Sequence, residues 1–261
     1  MQKRVLFICS SILVLALAVS CGGGEQTTNL PPTGPGVAPP GASAPAATAT
    51  VGGKITFEGT PPPNEKIQMS ADPYCQQHSQ NPTLETVKVS DGGLENVIVY
   101  VKSGMPNVTY PTPTDSVQID QHDCHYIPHV FTMQTNQPLK VKNSDMTLHN
   151  IHAWAEKNPQ FNVGQPVQNM VNETKFANEE VPLPIRCDVH KWMGAFVGVF
   201  NHPYHTVSKQ GGTWELKLPA GNYEVVAWHE KYGVQTQMVE VKDNEKKEVT
   251  FGFKADSKPT E

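Results

Sequence analysis

Cys187, His190 and Met193 stand in a Cys-x2-His-x2-Met spacing within Cys187-Asp188-Val189-His190-Lys191-Trp192-Met193. A thiolate, an imidazole and a thioether within seven residues are soft and borderline ligands on one tight loop, and copper is the metal such a set suits. The triplet lacks one imidazole for a trigonal site with a weak axial sulfur. His149, in Asn143-Ser144-Asp145-Met146-Thr147-Leu148-His149-Asn150-Ile151-His152, offers it from thirty-eight positions upstream. Zinc held by His149, Cys187 and His190 is chemically possible, but Met193 argues against it. Singly these residues read as a strand histidine, a core methionine and a buried thiol. It is the combination that is specific.

The chain that must position them has 261 residues, 23 of them proline, and only 17% are charged, against about 25% in ordinary soluble domains. So many helix breakers with so few Glu, Lys and Arg exclude a helical bundle or coiled coil. A formal charge of -5 provides no broad positive field for phosphates, so no nucleic-acid partner is expected. The negative mean hydropathy excludes a multi-spanning membrane protein.

From residue 51 onward the pattern is all-β. β-branched or alternating runs occur at 54–57, 97–101, 117–119, 139–141, 196–200, 214–218, 223–228, 239–241 and 249–251, separated by turns such as Asp91-Gly92-Gly93 and Pro219-Ala220-Gly221-Asn222. Short strands at this spacing predict sandwiches or Greek-key barrels. No window carries a helical period over three turns, and 154–180 reads as loop with one or two strands.

Residues 1–20 read as an export signal, with Lys3 and Arg4 ahead of an apolar run from Val5 to Val19 that is short for a membrane span. Leu17-Ala18-Val19-Ser20-Cys21-Gly22 resembles the lipobox of bacterial lipoproteins, with Ala18 where Leu is commoner. That resemblance implies a lipidated Cys21 and an extracytoplasmic chain tethered to a membrane, on the periplasmic face or the cell surface. Loss of Lys3 and Arg4 leaves 18 basic against 25 acidic residues, a charge of -7. Residues 21–50, rich in Gly, Pro, Ala and Thr, cannot bury enough apolar surface to offset chain entropy and read as a tether.

Cys9 goes with the signal and Cys21 with the lipid, leaving Cys75, Cys124 and Cys187 in an oxidising setting. Cys75 and Cys124 are expected as a disulfide closing a loop of about fifty residues, which restricts the unfolded chain by about 4 kcal/mol in the chain-entropy model. The alternative is a redox or metal pair with His78, His122 and His125. His152 reads as a surface residue. His129, His202, His205 and His229 have no assigned role, a second metal site among them being the sharper alternative to plain packing.

The two copper-type segments resemble the signatures of plastocyanin- and amicyanin-like cupredoxins, the short Cys-x2-His-x2-Met loop being like that of amicyanin. The flanks Gln118-Ile119-Asp120, Tyr126-Ile127-Pro128 and Leu139-Lys140-Val141-Lys142-Asn143 are similar to early strands of that fold. The resemblance implies one type 1 (blue) copper ion, with His149, Cys187 and His190 as the strong trigonal set and Met193 as the long axial ligand. It also implies that Asn150 hydrogen-bonds across to the loop carrying Cys187. Trp192, between two ligands, is expected in an apolar docking face where a redox partner approaches the edge of His190.

Gly52 to Pro61 and Gly212 to Val225, with its Leu-Pro-x-Gly-x-Tyr turn, are similar to the opening and closing strands of transthyretin-like, carboxypeptidase-regulatory-type sandwiches. The expected organisation is therefore a signal at 1–20, a tether at 21–50, an outer sandwich from 51–112 plus 204–254, a cupredoxin domain at 113–203 inserted in it, and a tail at 255–261. The expected role is a membrane-tethered carrier of single electrons between redox proteins, such as a cytochrome or an oxidoreductase, and not an enzyme. The alternative is a surface binding module whose copper is structural, stored or sensed.

Overall fold

The computed structural model describes residues 44–257. The expected signal, the lipidated Cys21 and nearly all of the tether lie outside the described residues.

Strand Ala49–Glu58 organises the first of four sheets. It pairs antiparallel with Thr213–Leu218 and Gly93–Leu94, and parallel with Lys246–Glu248 and Phe251–Lys254. Facing it is a sheet in the order His205–Val207, Ile98–Ser103, Gly221–His229, Gly233–Val241. The alternation in Thr213–Leu218 shows why these segments are strands: Trp214, Leu216 and Leu218 point inward and Thr213, Glu215 and Lys217 outward, the period-two pattern of a half-buried sheet. Between the two sheets Val51, Ile55, Val99, Val101, Leu216, Val225 and Phe251 pack in one core. At the turn leading into Gly221–His229 the Tyr223 hydroxyl, itself buried, donates to the Pro219 carbonyl at 2.9 Å.

All strands between Val117 and Phe200 belong to two further sheets. One runs Val171–Thr174, Leu139–Asn143, Val117–His122, His125–Ile127; the other runs Phe161–Gln165, His149–Ala153, Glu180–Arg186, Gly194–Phe200, Val130–Gln134. Ile119, Tyr126, Met133, Val141, Ile151, Leu183 and Val197 fill the space between them. The described strands are thus two sandwiches, the second between the two halves of the first in sequence.

Strand Gly194–Phe200 is apolar on both faces because both are covered. Ala195, Val197 and Val199 enter the core of the second sandwich, whereas Phe196 and Phe200 join Ile98, Val130 and Trp228 in a separate cluster that binds the two sandwiches together. Gly198 is required there, since a Cβ would sit 2.7 Å from the Phe200 ring.

Three elements depart from the sequence reading. Helix Pro73–His78 is too short to show a period, but it carries a local start signal, Asp72 as N-cap ahead of Pro73. Glu180–Arg186 is a strand despite Pro182 and Pro184, with its register shifting between Glu180 and Leu183, as strand prolines require. Val130–Gln134 pairs parallel with Gly194–Phe200. The 154–180 segment holds two strands, Phe161–Gln165 and Val171–Thr174.

Phe200 is fully buried against Tyr100 and His205. Phe200→Ala is expected to cost about 3–5 kcal/mol, read as a lower urea midpoint. A loss within about 0.5 kcal/mol would mean the seam between the sandwiches carries little of the stability.

Candidate metal centre

Strand pairing brings together two loops distant in sequence. His149 opens the strand His149–Ala153, beside Gln165 of the neighbouring strand. Cys187 follows Glu180–Arg186, whose last residue pairs with Gly194, so residues 187–193 form a hairpin loop. That loop is tightened by Cys187 N–H to Met193 O at 3.2 Å and Met193 N–H to His190 O at 2.9 Å. Neighbouring strands in one sheet therefore deliver His149 from one side, and Cys187, His190 and Met193 from the other.

The donor atoms of His149, Cys187 and His190 lie within 4.8 Å of one another. The two imidazoles face each other Nδ1 to Nδ1 at 2.9 Å. His149 is wholly buried, and Cys187, His190 and Met193 are almost so. Behind the thiol, Asn150 Oδ1 accepts from the backbone N–H of Asp188 at 2.7 Å and of Val189 at 3.3 Å, and sits 3.2 Å from Cys187 Sγ. Asn150 thus ties the two ligand-bearing segments together. The His190 N–H points at Cys187 Sγ, 3.3 Å away.

Electrostatics favour a thiolate. Burial opposes ionisation of Cys187, but hydrogen bonds from His149, His190 and nearby backbone N–H groups outweigh it and pull the thiol down to about 6. A buried thiolate with two converging imidazole nitrogens is a soft and borderline donor set for a transition metal, and Met193 closes the same loop.

Each histidine is held at its other nitrogen by a carboxylate that the sequence reading did not single out. His149 Nε2 donates to Asp145 Oδ2 at 2.9 Å, and His190 Nε2 to Asp72 Oδ2 at 2.8 Å. Burial works against ionisation of Asp145, but His149 and the N–H groups of Cys124 and Asp123 hold its carboxyl below the usual range. Burial likewise opposes ionisation of Asp72, outweighed by the Cys75 N–H, His190 and Thr147. The signals for these carboxylates were slight: an Asp-Pro helix start for Asp72, and an Asp four residues before a ligand histidine for Asp145.

Cys75 and Cys124 are joined in a disulfide. It packs with Met69 and Trp192 beside the centre, and the Trp192 indole N–H donates to Cys124 O at 3.1 Å. His190 is only 2% exposed, its outer nitrogen is engaged by Asp72, and the half-buried Trp192 lines a cleft of about 470 Å³ with Met193, Arg186 and His129. The exposed apolar side chains adjoining the ligands in sequence are Leu148 and Val189.

The remaining histidines have other tasks. His152 pairs with Asp188 at 3.0 Å, and His129 pairs with Glu230. His125 bonds Asp123 O at 2.9 Å, His78 packs edge-on to Tyr74, and His122 is exposed. His202, His205 and His229 are held neutral by burial, down at about 4, 3 and 3. Among the described residues, every converging triad of His, Cys, Asp or Glu donors includes His149 or His190.

Because the folded-state value of Cys187 is the lower one, its ionisation contributes stability above the ordinary thiol range, and that contribution is lost as pH falls through about 6. Ultraviolet thiolate absorbance of the metal-free protein should titrate near that pH and move upward in His149→Gln. A midpoint at the ordinary thiol value of about 8.5 in both proteins would show that the imidazoles do not act on the sulfur.

No protein-family model matches the chain, and no curated protein does. Among solved structures, a Cu-containing nitrite reductase from Thermus scotoductus SA-01 is similar over 35% of this chain and 23% of its own, at 14% identity and TM-score 0.31. This chain thus spans under a quarter of that protein. A purple cupredoxin from Nitrosopumilus maritimus is similar over 32% of this chain and 98% of its own, at 20% identity and TM-score 0.28. A variant of amicyanin in its Cu(I) state is similar over 40% and 99%, at 13% identity and TM-score 0.29. Likenesses of this size carry no argument about the centre, which stands on its own geometry.

Proposed function

We propose that this chain is an extracytoplasmic, lipid-tethered protein that holds one type 1 copper ion and passes single electrons between redox proteins, without bond chemistry. The observation that carries the reading is the buried convergence of Cys187 Sγ with the Nδ1 atoms of His149 and His190. Copper, when bound, would supply a one-electron couple. The protein's own contribution is restraint. Asn150 fixes the thiol, the carboxylates fix both ring orientations, and the apolar core excludes water, so both oxidation states meet nearly the same set of donors and little rearrangement accompanies transfer. Met193, buried on the same loop, would add a thioether to the set that holds the ion.

Leu148 and Val189, each exposed and each next to a ligand histidine, are the apolar contact residues proposed for the redox partner, in place of Trp192. A net charge of -7 without the leader favours a partner with a basic face, such as a cytochrome. Cys21 as the lipid anchor would keep the folded part near that partner's membrane.

A soluble form lacking the leader and tether, titrated with Cu(II), should develop an intense thiolate-to-copper band with a matching EPR signal. The band should bleach reversibly with reductant and be absent in Cys187→Ser. A colourless protein that takes zinc equally well and does not cycle would overturn the electron-transfer reading. The anchor is tested separately: Cys21→Ser should release the full-length protein from membranes, and unchanged partitioning would refute lipidation.

A further inference from the structure

The two carboxylates behind the ligand histidines are themselves held by the two ends of one disulfide. Asp72 Oδ1 accepts the N–H groups of Tyr74 at 2.8 Å and Cys75 at 3.1 Å as N-cap of helix Pro73–His78, leaving Oδ2 for His190 Nε2 and the Thr147 hydroxyl, the latter at 2.9 Å. Asp145 accepts the N–H groups of Asp123 and Cys124, each at 2.9 Å, while Oδ2 also takes His149 Nε2.

Asp123 and Cys124 form a two-residue hairpin turn between His122 and His125, with φ of 58° and 59°. Tight hairpins demand this left-handed backbone, which a Cys, with its Cβ, adopts only at a steric cost. The turn aims two N–H groups at one carboxylate. Cys75 Sγ lies 3.9 Å from His190 Nε2, so the crosslink itself lies against the ligand ring.

We infer that the Cys75–Cys124 disulfide is the positioning device of the metal centre: it fixes the helix start and the hairpin turn that hold Asp72 and Asp145, and through them sets both histidines with Nδ1 inward and closes the outer edge of His190. Asp72, Asp145, Cys75 and Cys124 are positioning residues, acting through His149 and His190. The inference rests on the copper reading for its electronic consequence, but its structural part holds for the metal-free protein. A carboxylate on the far nitrogen raises the donor strength of an imidazole, which favours Cu(II), so loss of either carboxylate shifts the couple toward Cu(I).

The copper-loaded protein is equilibrated with a mediator of known potential, and the Cu(I):Cu(II) ratio is read with the EPR hyperfine splitting. Asp72→Asn and Asp145→Asn should each move the ratio toward Cu(I) by up to about tenfold, equivalent to about 59 mV for one electron. Cys75→Ala/Cys124→Ala should move it in the same direction in the wild-type background, and by less than about twofold once both carboxylates are already Asn. An equal shift in the two backgrounds, or none in the wild type, overturns the inference.

A second measurement needs neither copper nor a variant. In the metal-free protein the Nε2–H protons of His149 and His190 should appear by NMR as hydrogen-bonded, slowly exchanging resonances. That of His190 should lose its protection when the disulfide is opened with a phosphine while circular dichroism remains native. Persistence of both resonances after reduction refutes the positioning role. Failure of the wild-type protein to bind copper, with the NMR result as expected, would instead remove the electron-transfer reading and leave the lock in place.

Discussion

Two buried imidazoles meeting nitrogen to nitrogen at 2.9 Å are the constraint on which the rest of this structure depends. Each ring could rotate away to satisfy itself elsewhere, and burial makes any unsatisfied nitrogen costly. They stay because their opposite edges are engaged by carboxylates, which are in turn saturated by backbone N–H groups from a helix start and a hairpin turn. The arrangement is a chain of hydrogen bonds running from backbone N–H groups through two carboxylates to the two imidazoles.

This constraint accounts for features that otherwise look unrelated. Segment 67–78, which by sequence precedes the second sandwich, lies against the candidate centre, where Asp72 meets His190. A cysteine occupies a left-handed turn position because its N–H group serves Asp145 and its sulfur serves Cys75. The seam of Ile98, Val130, Phe196, Phe200 and Trp228 holds the sandwiches in the relation that lets a loop of one reach a ligand of the other.

The covered edge of His190 bears on the electron exchange proposed above. His190 is only 2% exposed and its Nε2 donates to the partly exposed Asp72, so its ring edge does not reach the surface. The exposed apolar atoms next to the ligands are on Leu148 and Val189, on the same two loops but facing outward. The proposed partner-facing residues and the candidate donor set are then adjacent along the chain but differ in direction.

What the sequence determined by itself is what short-range chemistry can encode. Cys187, His190 and Met193 lie on one loop, so their spacing points to a candidate donor set before any fold is known; the alternation in Thr213–Leu218 announces a strand; and the three cysteines after residue 50 single out a pair and a remainder. Asn150 was visible because it adjoins a ligand. Asp72 and Asp145 were not, because carboxylates are common at surfaces, and the contact from Asp72 to His190 crosses 118 positions with no local pattern to mark it. The same holds for Glu180–Arg186, where two prolines mask a strand whose neighbours supply the pairing. Only tertiary structure decided which side of His190 would be covered, because burial is settled by the chain that packs against a residue and not by the residues beside it in sequence.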